Sequence, residues 1–492
     1  MSPWIRAIAF AGLFVGTAHA ATTADDAFKA IYTKEWTWRN GQAGILTSGE
    51  AQPGDGRLDT VDAKSQAERL AYWSDVLAQL DRIDTKTLSG SARVDYAVYR
   101  EQIGNLAAAQ RFGQWQMPFN SDSAFWSDIG YVLHGDNLRT RADYEHYVAR
   151  LRQIPRYMDQ EIANMRLGLA RGFTVPREVL DGRDVSIAAV AELKDPEASA
   201  LYAPFKAMPK TLPAADADAL RKDARAAIAD GVIPAYGKLL TFFRGEYVPK
   251  ARKTLAAESL PDGKAYYRQQ IREYTTLDLS PDDIHAIGLR EVDRIHAAMV
   301  ETMKETGFKG DFPAFLAFLR TDPRFYAKTP DELLMRTAWV AKQVDGKLDK
   351  YFGLLPRQRF AIEPVPADIA PYYTSGRGGA DVYLVNTYDL PSRPLFNMPA
   401  LTLHESMPGH SLQLALRRSS RDCRGSAATA TSRRTARAGR STRNTSAKRW
   451  ASTTRPTNTS VISPTRCGAR AASWSIPAST TSAGRASRPS TT

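Results

Sequence analysis

The sequence predicts a mainly α-helical protein with a small β-sheet placed just ahead of a histidine-bearing helix. Three observations predict it. From Ala24 to about Leu354, apolar residues recur at helical spacing. After Leu355 and Pro356, β-branched and aromatic runs replace that period. Helical periodicity then returns around His404 and His410, and many helices joined by short loops point to a bundle-like, multi-helix architecture.

Taken in order, Met1–Ala20 reads as a secretory signal. Arg6 gives a basic start, Ala7–Val15 an apolar run too short to span a bilayer, and Ala18-His19-Ala20 a small-x-small cleavage pattern. No later stretch approaches transmembrane length by inspection, so a periplasmic or secreted protein without a membrane span is expected. The only cysteines are Cys423 and Cys467, so no disulfide framework organises residues 1–418 despite that oxidising address.

Residues 21–355 form the expected helical body. Ser91–Ala109, Ala142–Arg171, Ala214–Phe243 and Pro330–Leu354 carry the helical period. The clearest start signal is Ser280, an N-cap residue followed by Pro281 in the first turn and Asp283 three residues on. Its helix places Ile284, Ile287, Val292, Ile295 and Met299 at apolar positions. His134, His146, His285 and His296 lack a carboxylate partner at ligand spacing and read as ordinary surface or core histidines. The aromatic segment Gln114–Trp126 reads as a loop packed over helices, with a substrate-cleft lining as the alternative.

Residues 356–418 combine the small sheet with the histidine helix. Phe360–Pro366 and Ala380–Tyr388 read as strands, separated by the glycine-rich run through Gly376, Gly378 and Gly379. Asp381–Thr387 is the expected edge strand, where an extended peptide could add itself by main-chain hydrogen bonds. Tyr383 and Asn386 on it are the candidate substrate-binding residues. A plain structural hairpin is the alternative.

The chemistry-bearing stretch runs from His404 through Glu405 to Gly409 and His410. Two imidazoles with a carboxylate directly after the first suit a hydrolytic zinc site: neutral nitrogens for a borderline-soft ion, and a base beside its water. The familiar arrangement puts the histidines four residues apart on one helical face. Here the separation is six, which on a straight helix leaves the rings roughly 120° apart. Pro408 has no N–H for the carbonyl of His404, so the helix is expected to bulge or kink at Pro408-Gly409 and thereby regain the four-residue relation. The competing reading is an amphipathic helix with an incidental motif, Leu401, Leu403, Leu412, Leu414 and Leu416 being core contacts.

Asn386–Leu395 followed by Leu403–Gln413 resembles the bacterial family catalogued as domain of unknown function 885. The likeness runs from about residue 25 to 418 and is specific from about 370. It implies a helical, metallopeptidase-like architecture with one zinc ion held by His404 and His410, Glu405 as general base, and a peptide as substrate. It also implies a third ligand, a glutamate in a later segment reading like E-G-W-A-L-Y-x-E. No glutamate follows Glu405 in this chain. A non-catalytic secreted binding protein is the rival from another class.

From Ser419 to Thr492 the composition breaks: 15 Ser, 14 Thr and 13 Arg, one acid (Asp422), and no Leu, Phe, Tyr, Met, Glu, Gln or His. The chain has 66 basic and 53 acidic residues, of which this tail holds 14 and 1, leaving 52 of each in residues 1–418. The whole positive excess is in the tail. Such a segment cannot bury a core and reads as disordered; a basic arm for an anionic surface is a second reading. Specific nucleic-acid binding is disfavoured, because basic residues interleaved with aromatics on a folded surface are missing. The genetic code favours a third reading, translation out of frame. With each codon started one base earlier, Thr435–Asn444 can encode Y-G-E-G-W-A-L-Y-S-E and Ser460–Ala469 can encode F-G-Y-L-T-Y-E-M-W-R. Both look like the family's missing C-terminal motifs in the right order, and the hidden codon overlapping Arg437 would encode the third ligand.

Overall fold

In a computed structural model of the chain, the described residues are 23–42, 56–120, 124–133, 138–367, 370 and 373–419. The expected signal sequence and the tail beyond Ser419 lie outside them, as does His134.

Three N-terminal helices, α1 (Ala24–Gly41), α2 (Ala63–Leu80) and α3 (Gly90–Phe112), enclose their own core around Phe28, Trp73, Leu80, Tyr99 and Ile103. Its polar centre is the fully buried Glu35, which accepts hydrogen bonds from Arg39, from Trp73 Nε1 (3.1 Å) and from the Tyr99 hydroxyl (3.1 Å). A buried carboxylate persists only when so paired.

The main core is built on α4 (Phe125–Leu133), α5 (Arg141–Leu151), α6 (Ile154–Arg171), α7 (Val185–Ala191) and the long α8 (Ala214–Lys250). The expected helix Ala142–Arg171 divides in two at Arg152-Gln153, with Pro155 in the first turn of α6. Helix α8 runs seven residues past the expected Phe243. It passes through two π segments, Ile228–Val232 and Phe243–Tyr247. Each covers the carbonyl four residues before a proline, Asp230 before Pro234 and Gly245 before Pro249, so the wider turn relieves the clash that a proline makes there. Contrary to the sequence reading, α8 is long and apolar enough to cross a membrane. Half of its apolar window is buried inside the protein, with Ile228, Val232, Tyr236, Leu239 and Phe243 in the core, which is how a central helix of a globular fold passes the same test. The aromatic segment joins this core: Phe119 and Trp126 are buried, and Trp126 Nε1 donates to Ser186 Oγ at 3.0 Å.

Beyond it come α9 (Gly263–Thr275), α10 (Pro281–Glu305), α11 (Phe312–Thr321) and α12 (Pro330–Asp345). The start signal of α10 is a full capping box: Ser280 Oγ accepts from Asp283 N and Asp283 Oδ2 from Ser280 N, both at 3.1 Å. Helix α12 ends at Asp345 rather than near Leu354, giving way at Gly346 to a short turn, Leu348–Lys350.

The sheet has strands β1 (Ala361–Pro364), β2 (Gly376–Gly378) and β3 (Val382–Val385), in the order β1-β3-β2. β1 runs parallel to β3 (Ala361 opposite Val382), and β2 runs antiparallel to it (Gly376 opposite Val385). Two expectations are corrected. The glycine run taken as a separator is itself a strand, and Asp381–Thr387 contains the central strand, so the edge beside the motif belongs to β2. Helix α13 (Met398–Glu405) packs against α12 and β2, and α14 (His410–Ser419) follows. Val340, Val344 and Leu348 hold Leu403, Met407 and Leu412 in one small core, which fixes both helices.

Candidate metal centre

The motif is not one bent helix. α13 stops at Glu405, Ser406 leaves helical geometry (φ −99°, ψ −129°), the Met407–Pro408 peptide is cis, and α14 begins at His410. The expected bulge is thus a complete break, for the reason given by sequence: Pro408 cannot continue the helix. The turn is tied at both ends. Ser406 Oγ donates to Thr402 O (2.6 Å) and Ser411 N to Ser406 O (3.1 Å). A Cβ on Gly409 would lie 1.8 Å from the carbonyl oxygen of His404, so only glycine lets the turn close this tightly.

The break brings the expected residues together. His404, Glu405 and His410 each offer a donor atom within 4.8 Å of the others. The imidazoles stand edge to face at 5.0 Å between centroids. The Nε2 atoms of His404 and His410 each lie 3.8 Å from a Glu405 oxygen. Both rings keep about a quarter of their side-chain surface exposed (25% and 24%) and Glu405 only 11%, so the cluster opens to solvent on the imidazole side. Two imidazole nitrogens this close can turn toward a common ion at the usual 2.0–2.1 Å. The three residues form a group that could hold a metal ion.

Glu405 is oriented from the sheet. Gly378 N donates to Glu405 Oε2 at 2.8 Å, and a Cβ on Gly378 would fall 1.7 Å from the Glu405 carbonyl oxygen. The sequence reading missed Gly378; its signal was the spacing of glycines at 376, 378 and 379, which marks close backbone approach.

Tyr383 and Asn386 sit elsewhere than expected. Both are essentially inaccessible, at 1% and 0% exposure, and neither presents its side chain to a cleft. Tyr383 lies behind the site, its hydroxyl beside Thr402. Burial, together with the negative charge of Glu405, pushes its phenol above the ordinary range, so it stays protonated. Asn386 clamps a loop: Nδ2 donates to the carbonyls of Ala370 (2.9 Å), Tyr373 (3.0 Å) and Thr374 (3.1 Å), and Oδ1 accepts from Tyr388 N (3.0 Å). The physical reason is the central position of β3, flanked by β1 and β2, with Tyr383 and Val385 as its buried residues and Asn386 directly after it. His146, His285 and His296 are exposed on distant helices, and among the described residues they join no cluster of metal donors.

On β2, next to Gly378, the exposed Arg377 places its guanidinium 5.8 Å from the centre of the Tyr373 ring. Across from it, burial raises the pKa of Asp128 on α4 while Arg377 opposes the shift.

The fold and site define a helical protein with a His-Glu-His cluster at a helix break beside a glycine-rich sheet edge. The chain belongs to the family described as bacterial protein of unknown function (DUF885), whose pattern matches residues 40–431. No curated protein matches it in sequence. Its fold is similar to that of a candidate lipoprotein from Colwellia psychrerythraea known from a crystal structure, with a TM-score of 0.71 and 20% identity over 81% of this chain and 73% of that one. A second candidate lipoprotein, from Shewanella oneidensis and of unknown function, superposes with a TM-score of 0.55 and 16% identity over the same shares.

Proposed function

We propose that this chain is an exported zinc-dependent peptidase, incomplete as written. The observation that carries the reading is the convergence of His404, Glu405 and His410 on one solvent-facing point across a helix break. His404 and His410 would hold the ion. Zinc supplies Lewis acidity there, polarising a peptide carbonyl and easing deprotonation of water. Glu405 takes the proton from the attacking water as the new C–O bond forms, and returns it to the amine as the C–N bond breaks. Gly378 keeps the Glu405 carboxylate turned toward that water. An extended peptide would lie along the outer edge of β2. Export rests on Met1–Ala20 and agrees with the candidate lipoproteins that share the fold.

Incompleteness rests on the tail. With no glutamate after Glu405, the glutamate expected as third ligand has no source within residues 411–492. We attribute this to one base lost, or two gained, near the codon for Ser419. Resequencing codons 415–425 tests it, and an uninterrupted frame matching this tail would sink the idea. The frame-restored protein should retain about one zinc per chain after dialysis and cleave peptides until a chelator is added. Glu405→Gln should abolish turnover yet keep zinc. Restored protein that is indifferent to this change and cleaves nothing would instead be a binding protein.

A further inference from the structure

Arg377 occupies a position that the reaction scheme leaves unused. It follows Gly376 and precedes Gly378 and Gly379 on the edge strand, so no neighbouring side chain on β2 screens it. Its neighbour Gly378 touches the general base directly, at 2.8 Å. Strand alternation sends the Arg377 side chain to the face opposite that on which Gly378 meets the Glu405 backbone, toward the helical body. There the ring of Tyr373 lies 5.8 Å from the guanidinium, and the half-buried Asp128 feels its charge from α4. The exposed guanidinium thus has one aromatic ring beside it and one acid on α4 within reach of its charge.

Arginine in such a place is suited to planar, two-point recognition of a carboxylate, and a stacked ring restricts its rotamers in advance. We propose that Arg377 is the specificity-determining residue of this site, binding a carboxylate on the peptide, supplied either by its C-terminus or by an acidic side chain. The proposal rests on the peptidase reading and names its substrate class. Asp128 on α4 senses the charge of Arg377.

The test is direct binding to the full chain, followed by fluorescence anisotropy. The probes are fluorescein-labelled tetra-alanine as the free acid, the same peptide as its C-terminal amide, and an amide carrying glutamate at its third position. The free acid, the glutamate amide or both should bind roughly tenfold tighter than the plain amide, the size of one charge-assisted pair. Which of the two gains identifies the source of the carboxylate. Arg377→Ala should erase the preference, and Arg377→Lys should keep only part of it. Arg377 is exposed, so neither change threatens the fold. Equal binding of all three peptides to the unmodified chain, or a preference that survives Arg377→Ala, overturns the proposal alone. Binding of no peptide at all overturns the proposal as well, while the peptidase reading keeps its own test in the frame-restored protein.

Discussion

Gly378 and Glu405 lie 27 residues apart in the chain and are joined by a 2.8 Å hydrogen bond from the backbone N–H of one to Oε2 of the other. The orientation of the Glu405 carboxylate is therefore set by the sheet edge rather than by its own helix, whose last residue it is.

Gly378→Ala should disturb that arrangement at once. The added methyl would have to find room 1.7 Å from the Glu405 carbonyl oxygen, so β2 or the end of α13 must shift. We expect a loss of about 2–3 kcal/mol in denaturant unfolding, with weakened metal retention. A variant as stable as the parent would mean that the two segments are not in contact.

Asn386→Ala should act on stability and not on peptide recognition. One side chain serves three carbonyls and one N–H, and its loss leaves buried acceptors without donors. A cost on the order of 2–4 kcal/mol is expected, readable as a lower urea midpoint. Unchanged stability combined with lost peptide binding would return Asn386 to the role that its sequence position first implied.

The body carries a pH dependence of defined sign. Glu161 on α6 is pushed up to about 7, mainly by burial, and Asp59 to about 6 for the same reason, with Arg69 opposing. Both folded values exceed the ordinary carboxylate values of 4.5 and 3.8, so folding favours the protonated forms. Their contribution is fully present below those ordinary values and is lost as pH rises through about 6 to 7. Glu161→Gln, which mimics the protonated acid, should match the parent near pH 5 and exceed it near pH 8 by about 1–2 kcal/mol. Equal or lower stability of the variant at pH 8 would show that the ionised carboxylate is accommodated without cost.

Zinc content separates the chain as written from its restored form. The chain as written should hold well under one zinc after dialysis, because two imidazoles alone leave the tetrahedral set short. Equimolar zinc together with chelator-sensitive turnover would refute the incompleteness argument.

The helical class, the capping box at Ser280 and the identity of the three clustered residues were legible because each is local: a period, a cap, a spacing interrupted by proline. What was not legible depends on tertiary pairing. Strand content in Asp381–Thr387 was evident, yet nothing in it says that β1 and β2 flank it on both sides and turn Tyr383 and Asn386 inward. β2 escaped because glycines carry no β-propensity; its strand exists through pairing with β3 and contact with α13. The two π segments of α8 were readable only in outline, since prolines signal a disturbance without telling whether a helix ends or widens.

Dividing the motif between two rods has a consequence for how the ion could be captured. In a continuous helix the gap between two ligating rings is written into the peptide geometry, and even a short excised fragment can present them ready-made. Here the distance from His404 to His410 depends on how α13 and α14 lean on Val340, Val344 and Leu348 of the α12 region. A synthetic peptide covering only this motif should therefore have no more appetite for zinc than any pair of loose histidines. Metal uptake becomes a readout of whether distant parts of the chain have assembled.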